Sequence, residues 1–181
     1  MLFTLRDATG ADVAGIAALH ADSWRRHYRG AYTDTYLDGD VVADRLAFWG
    51  ARFAAPPSGR TIVAESDGDL VGFVHVIPDH DPRWGSLVDN LHVSYARKRG
   101  GLGTRLLSAA AQTVGSRPMY LWVLQQNTAA QAFYESRGGT RVESGFASPP
   151  GGDPARLNGT PGKYRIHWPD AAGAFPAARG R

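Results

Sequence analysis

The stretch running from Ser86 to Leu124 limits the fold more than any other part of the chain. A β-rich run ends in Leu91-His92-Val93, and a glycine-rich turn, Lys98-Arg99-Gly100-Gly101-Leu102-Gly103, follows. Leu102, Leu106, Leu107, Ala110 and Val114 then recur at helical spacing, and Gly115 with Pro118 ends the helix. Met119 to Leu124 is β-rich again. Strand, helix and strand with short connections make a crossover unit, which places two strands in one sheet with the helix on its face.

The flanking elements extend that unit. Leu2 to Arg6 reads as a first strand. Asp12 is placed to cap a helix carrying Val13, Ile16, Ala17 and Leu19 on one face and ending near Arg26. A second helix is expected over Val41 to Phe53, with Val42, Leu46, Trp49 and Phe53 on one side. Thr61–Glu65 and Leu70–Ile77 form a hairpin around Asp67-Gly68, because glycine accepts the positive φ of a tight turn. Pro78 to Pro82 is expected to be a loop. In Ser86 to Val93, strict alternation puts Leu87, Asp89, Leu91 and Val93 on one face and Val88, Asn90 and His92 on the other. A helix from Thr128 to Arg137, strands at Thr140–Ser144 and Tyr164–Trp168, and a Gly/Pro-rich loop over Phe146–Gly162 complete the order. The expectation is one mixed α/β domain over residues 1–170, with six to seven strands, about four helices and a flexible tail at 171–181.

Composition narrows the chemistry. With 181 residues, of which 43% are hydrophobic, the chain can bury one core of useful size. It has no cysteine, which excludes disulfides, thiolate metal sites and a cysteine nucleophile. The net charge is only +3, and the basic residues cluster only at Arg25-Arg26 and Arg97-Lys98-Arg99. That argues against a nucleic-acid face and for a small polyanionic ligand. No membrane span or signal peptide is legible, so a cytoplasmic location is the default, and no metal is expected.

The glycine-rich turn opens a helix whose first N–H groups are unpaired and carry partial positive charge. This makes an anion site, although the same turn could be an ordinary strand-to-helix loop. It is neither a P-loop nor a dinucleotide fingerprint. The strand Tyr120–Leu124 leads to a second group: Asn127, Ala130, Phe133-Tyr134 and Gly138-Gly139. Asn127 and Tyr134 are two helical turns apart and can share a side. Asn127 can bond a ligand's amides. Tyr134 can protonate a leaving thiolate, while Phe133 reads as core.

Together these segments resemble the acetyl-CoA-binding half of the GNAT N-acetyltransferase superfamily. Its pyrophosphate pattern falls on Lys98, Gly101 and Gly103, with Lys98 where the family has Gln or Arg. Its second pattern falls on Asn127, Ala130, Phe133, Tyr134 and Gly138. Ser23-Trp24, Tyr28-Arg29-Gly30 and Trp49 resemble a bacterial subgroup more loosely. The resemblance implies a GNAT-like fold and acetyl-CoA as co-substrate. It implies that backbone groups of Leu91 and Val93 hold the pantetheine arm. Arg99, Gly101, Gly103 and Thr104 would hold the pyrophosphate, and Asn127 would contact pantetheine. Tyr134 would be the general acid, and a neutral amine would attack directly, with the Val93 N–H stabilising the oxyanion.

Asp89 is the best candidate base by its position, or else a strand-edge carboxylate paired with an arginine; His92 reads as structural. Trp24, Tyr28 and Tyr32, with Ser23 and Tyr36 nearby, are candidates for the acceptor pocket, together with the loop before the last strand. The expected partner is a small-molecule or peptide amine, with a homodimer possible. A non-catalytic acyl-CoA-binding module, or a nucleotide-binding α/β domain, is the competing reading.

Overall fold

The computed structural model describes residues 3–176. A seven-stranded sheet runs in the order β1-β2-β3-β4-β5-β7-β6. The strands are β1 (Thr4–Asp7), β2 (Arg60–Ser66), β3 (Asp69–Asp81), β4 (Gly85–Val93), β5 (Met119–Leu124), β6 (Thr140–Phe146) and β7 (Gly162–Trp168). Four helices of nine residues or more, α1 (Val13–His27), α3 (Val41–Ala54), α4 (Leu102–Val114) and α5 (Thr128–Ser136), accompany two short ones, α2 (Asp34–Asp38) and α6 (Ala171–Ala174). The mixed α/β fold and the order of the main elements along the chain agree with the sequence reading.

The β2–β3 turn has Asp67 at φ 55° and Gly68 at φ 86°, the two left-handed positions that a two-residue hairpin requires. Helix α4 covers one face of the sheet, where Leu106, Leu107, Ala110 and Val114 meet Val74, Val76, Val88 and Leu121. Gly72 lets it come close: a Cβ there would lie 2.9 Å from Leu106 Cδ1 and 3.2 Å from the His92 carbonyl oxygen. Helices α1 and α3 cover the other face, with Ile16, Trp49, Val63 and Phe73 at the centre.

Several expectations are corrected. Asp12 does not cap α1. Its carboxylate instead accepts from Thr9 N at 2.7 Å and from both terminal nitrogens of Arg6. Strand β3 continues through Pro78 to Asp81 rather than ending in a loop. On α3, Val42 and Leu46 are 41% and 47% exposed, while Val41, Arg45 and Trp49 are buried. The helix is rotated relative to its apolar pattern because the Arg45 guanidinium stacks on Trp24 and Phe48 and pairs with Asp44. The tail is ordered at its start: Ala171 and Phe175 are buried against the α4 core, and Gln112 Nε2 donates to the Phe175 carbonyl at 2.6 Å. Residues 177–181 lie outside the described residues.

The most consequential correction is in β4. His75 pairs with Asn90 and Val76 with Val88, so Asp89 is an extra residue in a β-bulge. The bulge breaks the alternation. Val88 now shares the α4 face with Leu91 and Val93, and Asp89 turns toward α3, where it meets Arg52.

Candidate active site

Strands β4 and β5 are parallel neighbours only at Ser86↔Met119 and Leu87↔Tyr120. Beyond the bulge they part. Ser94 N donates to Val71 O at 2.8 Å, which fixes the phase of the β3–β4 ladder. His92 therefore bonds β3, while the N–H and C=O groups of Leu91 and Val93 point toward β5, into the gap. Backbone groups in a protein interior need partners, and here a ligand can supply them.

Two cavities meet at this gap. The larger, about 530 Å³, runs from Leu91 and Val93 past Asn127, Phe133 and Tyr134 to Lys98, Arg99, Gly101, Gly103 and Thr104. The smaller, about 300 Å³, lies toward α1 and α3, lined by Trp24, Tyr28, Tyr32, Arg45, Asp89 and Lys163 among others. Leu91, His92, Trp122 and Tyr134 line both.

At the far end of the larger cavity, Arg99 sits at φ 65° and Gly101 at φ 78°, directly before α4. The first intrahelical bond comes from Arg105 N to Gly101 O, so the N–H groups of Leu102, Gly103 and Thr104 are free. A backbone curled in this way can cradle an anion. Lys98 is partly engaged elsewhere: its Nζ donates to His27 Nε2 at 2.7 Å, and burial lowers its pKa.

Asn127 has a structural role that the sequence reading did not include. Its Oδ1 accepts from Ala130 N and caps α5, leaving the Nδ2 group for a ligand. Gln131, which sequence reasoning missed, ties α5 to the end of β5 by donating to the carbonyls of Leu124 and Gln125 at 2.9 and 2.8 Å. One turn on, Tyr134 is held with 9% of its surface exposed. Its ring meets Phe133 and Trp168 edge to face. Burial, then the nearby Tyr28, raises the phenol's pKa above its ordinary value, so it stays protonated.

The smaller cavity has aromatic walls. Trp24 packs edge to face on His20 and Tyr32, with centroids 4.5 and 5.0 Å apart. Burial pushes the Tyr28 hydroxyl up to about 12. Ala147 and Ser148 complete the wall, as expected of the segment before the last strand, together with Lys163 from β7. Tyr36 is withdrawn from it, its hydroxyl donating to Asp44 at 2.6 Å, and Ser23 lines the larger cavity instead. Asp89 Oδ2 accepts from Arg52 Nη1 and Asn90 Nδ2, both at 2.9 Å. His92 bonds Ser23 Oγ through Nδ1 at 2.8 Å, and burial holds its pKa at about 3. Sequence reasoning missed His20, Arg45 and Lys163. No local signal marks them, because helices and strands far apart in sequence bring them together. Among the described residues, no group of three or more His, Cys, Asp or Glu could hold a metal ion, and no helix is long and apolar enough to cross a membrane.

A parted pair of parallel strands, an anion cradle at the following helix and a buried tyrosine between two cavities define an acyltransferase scaffold. The model of the acetyltransferase (GNAT) family matches residues 19–139, and the chain belongs to that family of acetyl-CoA-dependent N-acyltransferases. It is similar to the probable N-acetyltransferase Rv2775 of Mycobacterium tuberculosis, 32% identical over 140 residues, covering 74% of this chain and 77% of the relative. The fold is similar to that of PaiA N-acetyltransferase from Thermoplasma acidophilum in complex with coenzyme A, with a TM-score of 0.71, 16% identity and coverage of 93% of this chain and 100% of the other. It is also similar to YncA from Salmonella typhimurium with its cofactor acetyl-CoA, with a TM-score of 0.64, 21% identity and coverage of 100% and 99%.

Proposed function

We propose that the protein transfers the acetyl group of acetyl-CoA to a primary amine of a small molecule or peptide, by direct attack and without an acyl-enzyme. The observation that carries this reading is the junction of the two cavities at the unpaired Leu91 and Val93 backbone, opposite Tyr134. The larger cavity suits a long ligand with an anionic end. The free N–H groups of Leu102, Gly103 and Thr104, with Arg99 and Lys98, would hold a pyrophosphate. Leu91 and Asn127 Nδ2 would hold the amides of the pantetheine arm. When bound, acetyl-CoA supplies an activated thioester.

The chain's own groups then do three things. The Val93 N–H donates to the thioester carbonyl oxygen as negative charge develops there. Tyr134 gives its hydroxyl proton to the departing sulfur. Asp89 receives the amine's proton. Its carboxylate has about four acceptor positions, and two are taken by Arg52 and Asn90. The amine approaches along the Trp24, Tyr28 and Tyr32 wall.

The test is CoA release from acetyl-CoA with a broad amine panel, beside calorimetry against CoA, ATP and NAD. Turnover of an amine with tight CoA binding supports the reading. CoA binding without release from any amine would favour an acyl-CoA-binding module, and binding of only a nucleotide lacking pantetheine would overturn the cofactor assignment.

A further inference from the structure

Three charged side chains line the acceptor cavity: Arg45, Asp89 and Lys163. Two are met inside the protein. Arg45 pairs with Asp44 at 2.7 Å, and Asp89 with Arg52 at 2.9 Å. Lys163 has no carboxylate partner among the described residues. Its ammonium lies 4.3 Å from the centroid of the Trp122 ring, on which Arg165 also stacks. Arg165 already has Glu143 at 3.1 Å and Asp81 at 3.7 Å, so neither acid is free to serve Lys163. Burial, then Arg165, lowers the Lys163 pKa, which is the mark of a charge lacking its counterion.

Behind the same wall, closed off from the cavity, a buried donor is also unmet. Trp49 Nε1 can only donate, and it lies 3.0 Å from His20 Nδ1. His20 is 1% exposed, and burial holds its pKa well below the ordinary histidine value. It is therefore neutral with its proton on Nε2, and that buried N–H has no acceptor among the described residues. The cavity thus offers a lone cation, with its acid already paired.

We propose that the acceptor is an amine that also carries a carboxylate, an amino-acid-like molecule, with Lys163 holding the carboxylate. This rests on the acetyltransferase reading above. Lys163 lines only the smaller cavity, so the carboxylate lies away from the junction and the amine can reach it. The two cations of the cavity also disfavour an ammonium group inside it, which favours the neutral, nucleophilic amine. A bare aliphatic diamine would meet the wrong charge.

The experiment compares matched acceptors. Several amino acids of different side-chain character are each assayed beside their amides and their decarboxylated amines, with an aliphatic diamine included, by following CoA release. The best set is expected to favour the carboxylate member over its amide on the order of 10- to 100-fold in kcat/KM. In Lys163→Met that ratio falls to near one, with CoA affinity by calorimetry and the melting temperature checked in parallel, and Lys163→Arg recovers part of it. Equal or better use of the amide, the decarboxylated amine or the diamine by the unaltered protein overturns the proposal while leaving the acetyltransferase reading intact. So does a Lys163→Met variant that lowers all members alike. Absence of CoA release with every one of these acceptors overturns the proposal, and absence across the broad amine panel overturns the acetyltransferase reading as well.

Discussion

Replacing Tyr134 by Phe isolates the chemical step. The substitution keeps the ring and its edge-to-face contacts with Phe133 and Trp168. It removes a hydroxyl that makes no hydrogen bond to the protein among the described residues, so the fold loses nothing. Stability is expected to stay within about 1 kcal/mol, since a buried hydroxyl without a partner contributes little or is unfavourable. General acids contribute roughly 10²- to 10⁴-fold. A thiol of ordinary pKa, about 8.5, leaves without full protonation, which places the effect at the low end. The expected fall in kcat is therefore about 100-fold, or about 2.7 kcal/mol of barrier. CoA affinity should change little, because sulfur is a weak acceptor in the ground state. Saturating kinetics of CoA release, calorimetry with CoA and thermal melts measure the three quantities. The raised phenol pKa adds a condition: no alkaline fall in kcat from Tyr134 should appear below about pH 10. A kcat within about threefold of the unaltered protein, with an intact fold, would refute the acid assignment.

Asp89→Asn should lower the rate most at low pH if Asp89 takes the amine's proton, and an unaltered pH–rate profile counts against that role. Gly72→Val should lower the melting temperature, because a side chain must enter a space where a Cβ already lies 2.9 Å from Leu106; overpacking of this kind costs about 1–3 kcal/mol. Acid should destabilise the fold before most carboxylates titrate. Burial holds His92 at about 3 and His75 at about 4 in the folded chain. In the unfolded chain they titrate near ~6.5, so between those values the unfolded state binds more protons. Stability is therefore fully present above pH 7 and falls as pH drops through about 6 to 4, by up to about 1.4 kcal/mol per pH unit for each buried histidine. Denaturant titrations at pH 7, 6 and 5 check this, and equal stabilities would contradict it.

The half of the site around the larger cavity was legible because its information is local. A glycine turn before an amphipathic helix, and Asn127 two turns from Tyr134, are set by backbone conformation and helical period. The structure keeps both, adding only that Asn127 also caps α5 and that Gln131 fastens it. Alternation in β4 failed for a different reason. The residues of Ser86–Val93 read as a regular strand on their own, and the extra residue is visible only against β3, where Val76 pairs with Val88 and His75 with Asn90.

By itself, then, the sequence determined the mixed α/β class, the order of the strands along the chain and the pairing of a glycine turn with Asn127 and Tyr134, which line one cavity, since each follows from spacing within one or two elements. Tertiary structure decided where Asp89 points, why Arg45 rather than Val42 or Leu46 is buried on α3, and that His20 and Lys163 share one cavity with the β4–β5 junction. Those outcomes depend on register and packing between segments that are far apart in the chain. A buried guanidinium needs its stacking partners and its carboxylate, and an unpaired lysine has meaning only beside the cavity it faces.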